Sequence, residues 1–212
     1  MGTVKFLSGL FCLAFVCGGW LPGSGVVAAR VSEQRFLMYK KENDEERIIR
    51  IAENEIGVRE EGCENCGRRV EAYLKYVGLG KGSPWCAAYV SWVFAEAGFA
   101  HPRTAWTPAL FPSGREMVNR MAGIPARQEK ALVYGLYYPS LGRVGHCGIV
   151  TGWQGDWVLG TEGNTNMSGA RDGEGVYRKI RHQRTVAKLA NWLDNAGRPQ
   201  SGKRNGGKRG KI

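Results

Sequence analysis

Histidine is scarce in this chain. The 212 residues hold three, His101, His146 and His182, far apart in sequence. A zinc site of paired histidines and cysteines is therefore not written here. Cys63-Glu64-Asn65-Cys66 is a single C-x-x-C, with no second pair or histidine cluster to complete a ligand set. Neither a metal nor an organic cofactor is expected. Long apolar runs are also missing. Phe6 to Trp20 is mostly apolar, but it is short for a membrane span and broken by Gly18-Gly19 and then Pro22. No internal repeat occurs. Acids are outnumbered 19 to 30, for a net charge of +11, and none falls between Arg198 and Ile212.

Each absence leaves something positive. Lys5 ahead of the apolar run, and Val27-Ala28-Ala29 before Arg30, make residues 1–29 a signal peptide cleaved on export. Ala14-Phe15-Val16-Cys17 is a poor lipoprotein site, so the product is expected in the periplasm, the envelope or the medium, without stable membrane insertion. Residues 30–43 read as a charged spacer, 44–195 as one globular domain, and 196–212 as a disordered basic tail. The basic balance favours anionic partners. A nucleic-acid-binding tail is one such reading, but a signal peptide argues against it, and no nucleic acid is expected. The mature chain is expected to be a monomer.

Four cysteines remain after residue 29: Cys63, Cys66, Cys86 and Cys147. In an oxidising compartment an even set invites disulfides. Cys63 and Cys66 form a possible local disulfide in a Gly-rich loop. For the other two, a Cys86–Cys147 bridge competes with a free, reactive thiol.

The stretch Ser83-Pro84-Trp85-Cys86-Ala87-Ala88-Tyr89-Val90 decides which thiol matters. Pro84 suits a helix entry, and Cys86, Tyr89, Val90, Val93, Phe94 and Ala97 follow helical spacing up to Gly98. A thiol in the first turn of a helix feels the positive end of the macrodipole, which favours the nucleophilic thiolate. Two amphipathic helices precede it. One starts near Asn43 or Asp44 with Ile48, Ile49, Ala52 and Ile56 inward, and the other covers Arg68 to Val77.

Residues 101–125 are punctuated by four prolines and carry Trp106 on a loop, with a short helix expected from Arg115 to Met121. From Lys130 the period becomes two. Strands are expected over 131–138, 145–153, 157–161 and 175–181, with a strand or short helix over 186–193. Helices first and an antiparallel sheet second define an α+β domain.

Gln154-Gly155-Asp156 reads as a turn. A hairpin centred on Gly155 pairs residues whose numbers sum to about 310, so Gly148 faces Glu162 and His146 faces Asn164. Alternation then puts His146, Glu162 and Asn164 on one face and Cys147 on the other. His146 becomes the candidate base for Cys86. Either Glu162 or Asn164 can orient its ring, with Glu162 favoured.

Trp85-Cys86-Ala87-Ala88-Tyr89-Val90, Gly145-His146-Cys147-Gly148-Ile149-Val150 and Glu162-Gly163-Asn164, in that order, resemble the motifs of CHAP-domain peptidoglycan hydrolases. These are papain-like cysteine amidohydrolases related to the NlpC-type peptidases. Over about 140 residues the chain is also similar to CHAP-type proteins of Bacteroides-like genomes and conjugative elements, where Ala105-Trp106-Thr107-Pro108 has a close counterpart. The resemblance implies a papain-like CHAP fold with Cys86 as nucleophile, His146 as base, and Glu162 with Asn164 as orienting residues. It implies an amidase or endopeptidase acting on peptidoglycan. Trp85 and Trp106 are the expected substrate-binding aromatics. Cys147 departs from the apolar residue usual after the histidine, and the C-x-x-C lies outside the pattern. The competing reading is a catalytically silent wall-binding module with Cys86 locked in a disulfide.

Overall fold

The computed structural model describes residues 42–119 and 128–193. The expected signal peptide, nearly all of the expected spacer and the expected basic tail lie outside the described residues.

Three helices come first. Helix α1 is Asp44–Asn54. Asn43 caps it: its side chain accepts the Glu46 N–H at 2.8 Å, and Glu46 accepts the Asn43 N–H at 3.2 Å. Asp44, Glu45 and Glu46 lie at the positive end of the helix dipole. Ile48 and Ala52 are buried, while Ile56 lies beyond the helix and is exposed. Helix α2, Arg68–Tyr76, buries Val70, Tyr73 and Leu74.

Helix α3, Cys86–Glu96, is buried over nine consecutive residues, Cys86 to Phe94. Its sequence is apolar nearly all round, with only Ser91 and Glu96 polar, and it is enclosed accordingly, with α1 and α2 on one side and the sheet on the other. Arg69 stacks on Trp92 at 4.1 Å, which explains how the far side of α3 is covered.

The sheet is wholly antiparallel and six-stranded, in the order β1-β6-β2-β3-β4-β5. The strands are β1 Glu116–Asn119, β2 Val133–Tyr138, β3 Arg143–Gln154, β4 Trp157–Thr165, β5 Gly175–His182 and β6 Val186–Ala190. The molecule is thus α+β, with N-terminal helices on an antiparallel sheet. The short helix expected from Arg115 does not form over 116–119; those residues form β1 against β6 instead. A lone helical turn gains little, whereas an edge strand gains a ladder of hydrogen bonds from a distant partner. The 186–190 segment is likewise a strand, sandwiched between β1 and β2.

The β3–β4 hairpin turns on Gly155 and Asp156, with Gly155 at φ 54°. Register sums are 311 beside the turn and 310 from Val150↔Gly160 and Ile149↔Thr161 onward, because a bulge between Val150 and Gly152 absorbs one residue. Two apolar layers flank the sheet. One, including Cys147, Ile149 and Val133, packs with α3; the other holds Leu132, Tyr134, Leu136, Val150 and Val158. A Cβ on Gly163 would come within 2.7 Å of the Trp85 ring, so glycine there is what lets α3 lie against β4.

Candidate active site

Cys86 opens α3 with only 6% of its surface exposed, at the floor of a groove lined also by Trp106, Thr107, Arg143, Gly145 and Asn164. Its sulfur lies 3.7 Å from the Thr107 hydroxyl, which sits on the 3-10 turn Thr107–Leu110. Both Cys86 and Cys147 are free thiols. Cys147 is fully buried in the layer beneath α3.

His146 and Glu162 are each completely buried, with Nε2 of the imidazole 3.0 Å from Oε2 of the carboxylate. Nδ1 is buried and has no hydrogen-bond partner among the described residues. It is the ring nitrogen left for the thiol. Beside His146, Gly145 is the extra residue of a bulge between β2 and β3, since Leu136 pairs with His146 and Tyr137 with Val144. Such a bulge re-aims the neighbouring side chain.

Glu162 is a buried carboxylate, and burial alone would favour its neutral form. It is saturated instead. Tyr134 donates to Oε1 at 2.6 Å, and Arg181 donates in bidentate fashion at 2.8 and 2.7 Å. Tyr134 reaches it by lying over Gly148 and Gly160, where a Cβ would meet the tyrosine ring at 2.6 Å. Against burial, Arg181 and then His146 pull the Glu162 carboxyl down to about 2.

The same balance acts on the base. Burial would lower the His146 imidazolium, but Cys86 and then Glu162 outweigh it and push it up to about 9. The Cys86 thiol is held well below its ordinary value. The neighbouring Cys147 thiol is the largest influence; burial opposes it, and His146 and then Thr107 add to it. Burial, and then Cys86, push Cys147 up, so it remains the protonated member of the pair. The two shifts run in the same sense: the pair favours the thiolate of Cys86 beside the imidazolium of His146.

Asn164 is not on the histidine. The pairing of β4 with β5 is irregular between Glu162 and Thr165, and Asn164 has φ 55°, a left-handed conformation that asparagine tolerates. Strict alternation fails there, and the side chain turns toward the helix entry. Its Oδ1 accepts the Trp85 N–H at 3.0 Å, while Nδ2 donates to Asn65 Oδ1 at 3.2 Å and Gly173 O at 3.0 Å.

Trp85 does not line the groove either. It is fully buried against Tyr73, at 5.6 Å between ring centroids, and its indole N–H donates to Glu60 at 2.9 Å. A residue before a helix start has its ring folded under the helix when the next turn is packed on a sheet. Trp106 is 53% exposed and does line the groove.

Cys63 and Cys66 are joined in a disulfide with Cα atoms 5.2 Å apart. Asn65, between them, is the residue that Asn164 contacts, and its own N–H donates to Glu60 at 2.8 Å. No group of three or more potential metal ligands occurs among the described residues.

Sequence reasoning missed Tyr134, Arg181, Thr107, Glu60 and Asn65. Arg181 could have been flagged by an arginine flanked by strand residues near a buried acid, but its partner lies across a diagonal that sequence spacing does not reveal.

No family model and no curated protein matches the chain. Among solved structures it is similar to the crystal structure of Ly7917 with the hydrolyzing product of MDP, at 15% identity and a TM-score of 0.39, over 68% of this chain and 61% of that one. It is similar also to the crystal structure of Ly7917, at 15% identity and a TM-score of 0.36, over 68% of this chain and 60% of that one. The chain thus spans about 61% of the length of the first. Likeness of this degree carries no functional argument.

Proposed function

We propose that this protein is an exported cysteine hydrolase that cleaves amide bonds of bacterial peptidoglycan, with a papain-like CHAP-type fold. The observation that carries the reading is the buried line from Cys86 through His146 to Glu162. A depressed thiol stands at a helix start, a raised imidazole has one nitrogen unpaired, and a carboxylate holds the other nitrogen at 3.0 Å. That is the constellation of an activated nucleophile with an oriented base.

The Cys86 thiolate attacks the amide carbonyl carbon. The backbone N–H groups of the first turn of α3, unpaired by the nature of a helix start, face the developing oxyanion. His146, protonated at Nδ1, gives that proton to the leaving amine as the C–N bond breaks. It then takes a proton from the water that hydrolyses the thioester and returns Cys86 to the thiolate. Glu162 keeps the imidazolium aligned throughout, and Arg181 with Tyr134 keeps Glu162 ionised. The peptidoglycan assignment rests on the three ordered motifs. Export is supported by residues 1–29 and by the Cys63–Cys66 disulfide, a bond that persists in oxidising compartments. No helix among the described residues is long and apolar enough to cross a membrane.

The test is digestion of purified peptidoglycan with products identified by mass spectrometry. Wild type should release new amine termini. Cys86→Ser and His146→Ala should release none while remaining folded, and Cys147→Ser should keep most activity. A peptide linking Cys86 to Cys147 in intact active-form protein, or equal inactivity of Cys147→Ser, would instead support a silent wall-binding module.

A further inference from the structure

The groove over Cys86 holds about 380 Å³ and carries two cations that the amide chemistry does not use. Arg171 is already neutralised by its neighbour Asp172. Arg143 is different. Its guanidinium lies over the Trp106 ring at 4.1 Å and spends one donor on the Val144 carbonyl at 3.1 Å. No carboxylate among the described residues pairs with it. It is the first residue of β3, three positions before His146, so the strand that carries the base also carries this cation. The rest of the groove wall mixes apolar groups, Leu79, Pro84, Ala105 and the indole of Trp106, with the polar side chains of Ser83, Thr107 and Asn164 and with Asp172, whose carboxylate is taken up by Arg171.

A guanidinium held over an aromatic ring and bonded to a backbone carbonyl is partly fixed before a ligand arrives. Its remaining N–H donors are arranged as a fork that matches a carboxylate. An arginine serving only to solubilise the surface would not be stacked at the rim of a catalytic groove beside a half-exposed tryptophan.

We propose that the groove selects amide substrates that bear a free carboxylate, and that Arg143, held on Trp106, reads that carboxylate. This deepens the hydrolase reading and rests on it for the site. In peptidoglycan terms, the enzyme favours stem peptides whose γ-linked glutamate carries a free α-carboxyl over those in which that carboxyl is amidated.

The experiment uses a matched pair of soluble muropeptides, with that carboxyl free or amidated. Hydrolysis is followed with wild type, Arg143→Gln and Arg143→Lys, and binding with Cys86→Ala by calorimetry. A charge-assisted hydrogen bond predicts that wild type prefers the free acid by about 10- to 100-fold in kcat/KM. Arg143→Gln should lose the preference because KM rises more on the free acid than on the amidated substrate, and Arg143→Lys should keep part of it. Cys86→Ala should bind the free acid more tightly by a similar ratio. Measurable hydrolysis of both substrates by wild type at equal kcat/KM overturns the proposal, whatever the variants do. So does a preference that survives in Arg143→Gln, or equal binding of both by Cys86→Ala. If Cys86→Ala shows the binding preference but wild type hydrolyses neither substrate, the carboxylate site stands and the hydrolase reading fails.

Discussion

Asn164 holds the entry to helix α3 rather than the histidine: its Oδ1 accepts the backbone N–H of Trp85 at 3.0 Å, one residue before the thiol. The carboxylate and the amide of the Glu162-Gly163-Asn164 motif therefore do different work. Glu162 sets the protonation of the base, and Asn164 sets where α3 begins.

Asn164→Ala leaves the Trp85 N–H and the Asn65 side-chain Oδ1 without this partner and puts alanine at φ 55°. The expected loss is about 2–3 kcal/mol, a fall in Tm of roughly 5–10 °C. Activity should drop because Cys86 is less well placed. The basic limb of the pH–rate profile should stay where it is, since Asn164 does not touch His146. A moved basic limb would return the orienting role to Asn164.

Activity should follow a bell in pH. The acid limb marks protonation of the Cys86 thiolate, well below the ~8.5 of a free thiol. The basic limb lies near 9, where His146 loses its proton. Glu162→Gln removes the anion that holds the imidazolium, so the basic limb should move down and kcat should fall by about 100-fold or more. The same groups set a stability window. Glu162 is depressed from 4.5 to about 2, so its contribution is present above 4.5 and lost as pH falls toward 2. His146 is raised from 6.5 to about 9, so its contribution is full below 6.5 and lost as pH rises through about 9. Chemical denaturation at a series of pH values reads both edges. An unchanged basic limb in Glu162→Gln would show that the carboxylate is not what raises the base.

Cys147 is the largest of the influences that lower the Cys86 thiol, and it should act as more than core filling. Cys147→Ser keeps a hydrogen-bonding group against Cys86 and should leave the alkylation pH profile of Cys86 nearly in place. Cys147→Ala removes it, and the profile should move to higher pH, because the largest influence lowering Cys86 is gone. Iodoacetamide rates across pH measure this directly, and identical profiles for the two variants would dismiss the role.

The Cys63–Cys66 disulfide closes a very short loop, so its effect on the unfolded chain is worth only about 2 kcal/mol. Its further consequence is local. It fixes Asn65, which holds Asn164, which holds the start of α3. Replacing both cysteines by serine should lower Tm by roughly 5 °C and reduce kcat several-fold with little change in the pH limbs. Unchanged kcat in the disulfide-free protein would show that the Asn65 link is dispensable.

Much of this site was legible because its signals are short-range. Asn43 with Glu46 marks a capped helix, and Ser83 to Phe94 marks a helix that starts at a cysteine. A glycine-centred turn sets a register that places Glu162 opposite the region of His146, since side chains alternate with a period of two whatever the surroundings. The α+β order was readable from the change of period near Lys130.

What only the tertiary structure decided depends on bonds between residues far apart in sequence. The pairing of β1 with β6 turned an expected helical turn into a strand, because the partner lies about seventy residues away. An irregularity in β4 and the left-handed backbone at Asn164 sent that side chain to Trp85, which periodicity cannot foresee. Burial of Trp85 under α3 took it out of the groove and left Trp106 there. Above all, the charge state of the site belongs to the fold. Glu162 stays ionised in the interior because Arg181 and Tyr134 reach it from β5 and β2, and a carboxylate removed from water keeps its charge only when donors from elsewhere in the chain replace the solvent.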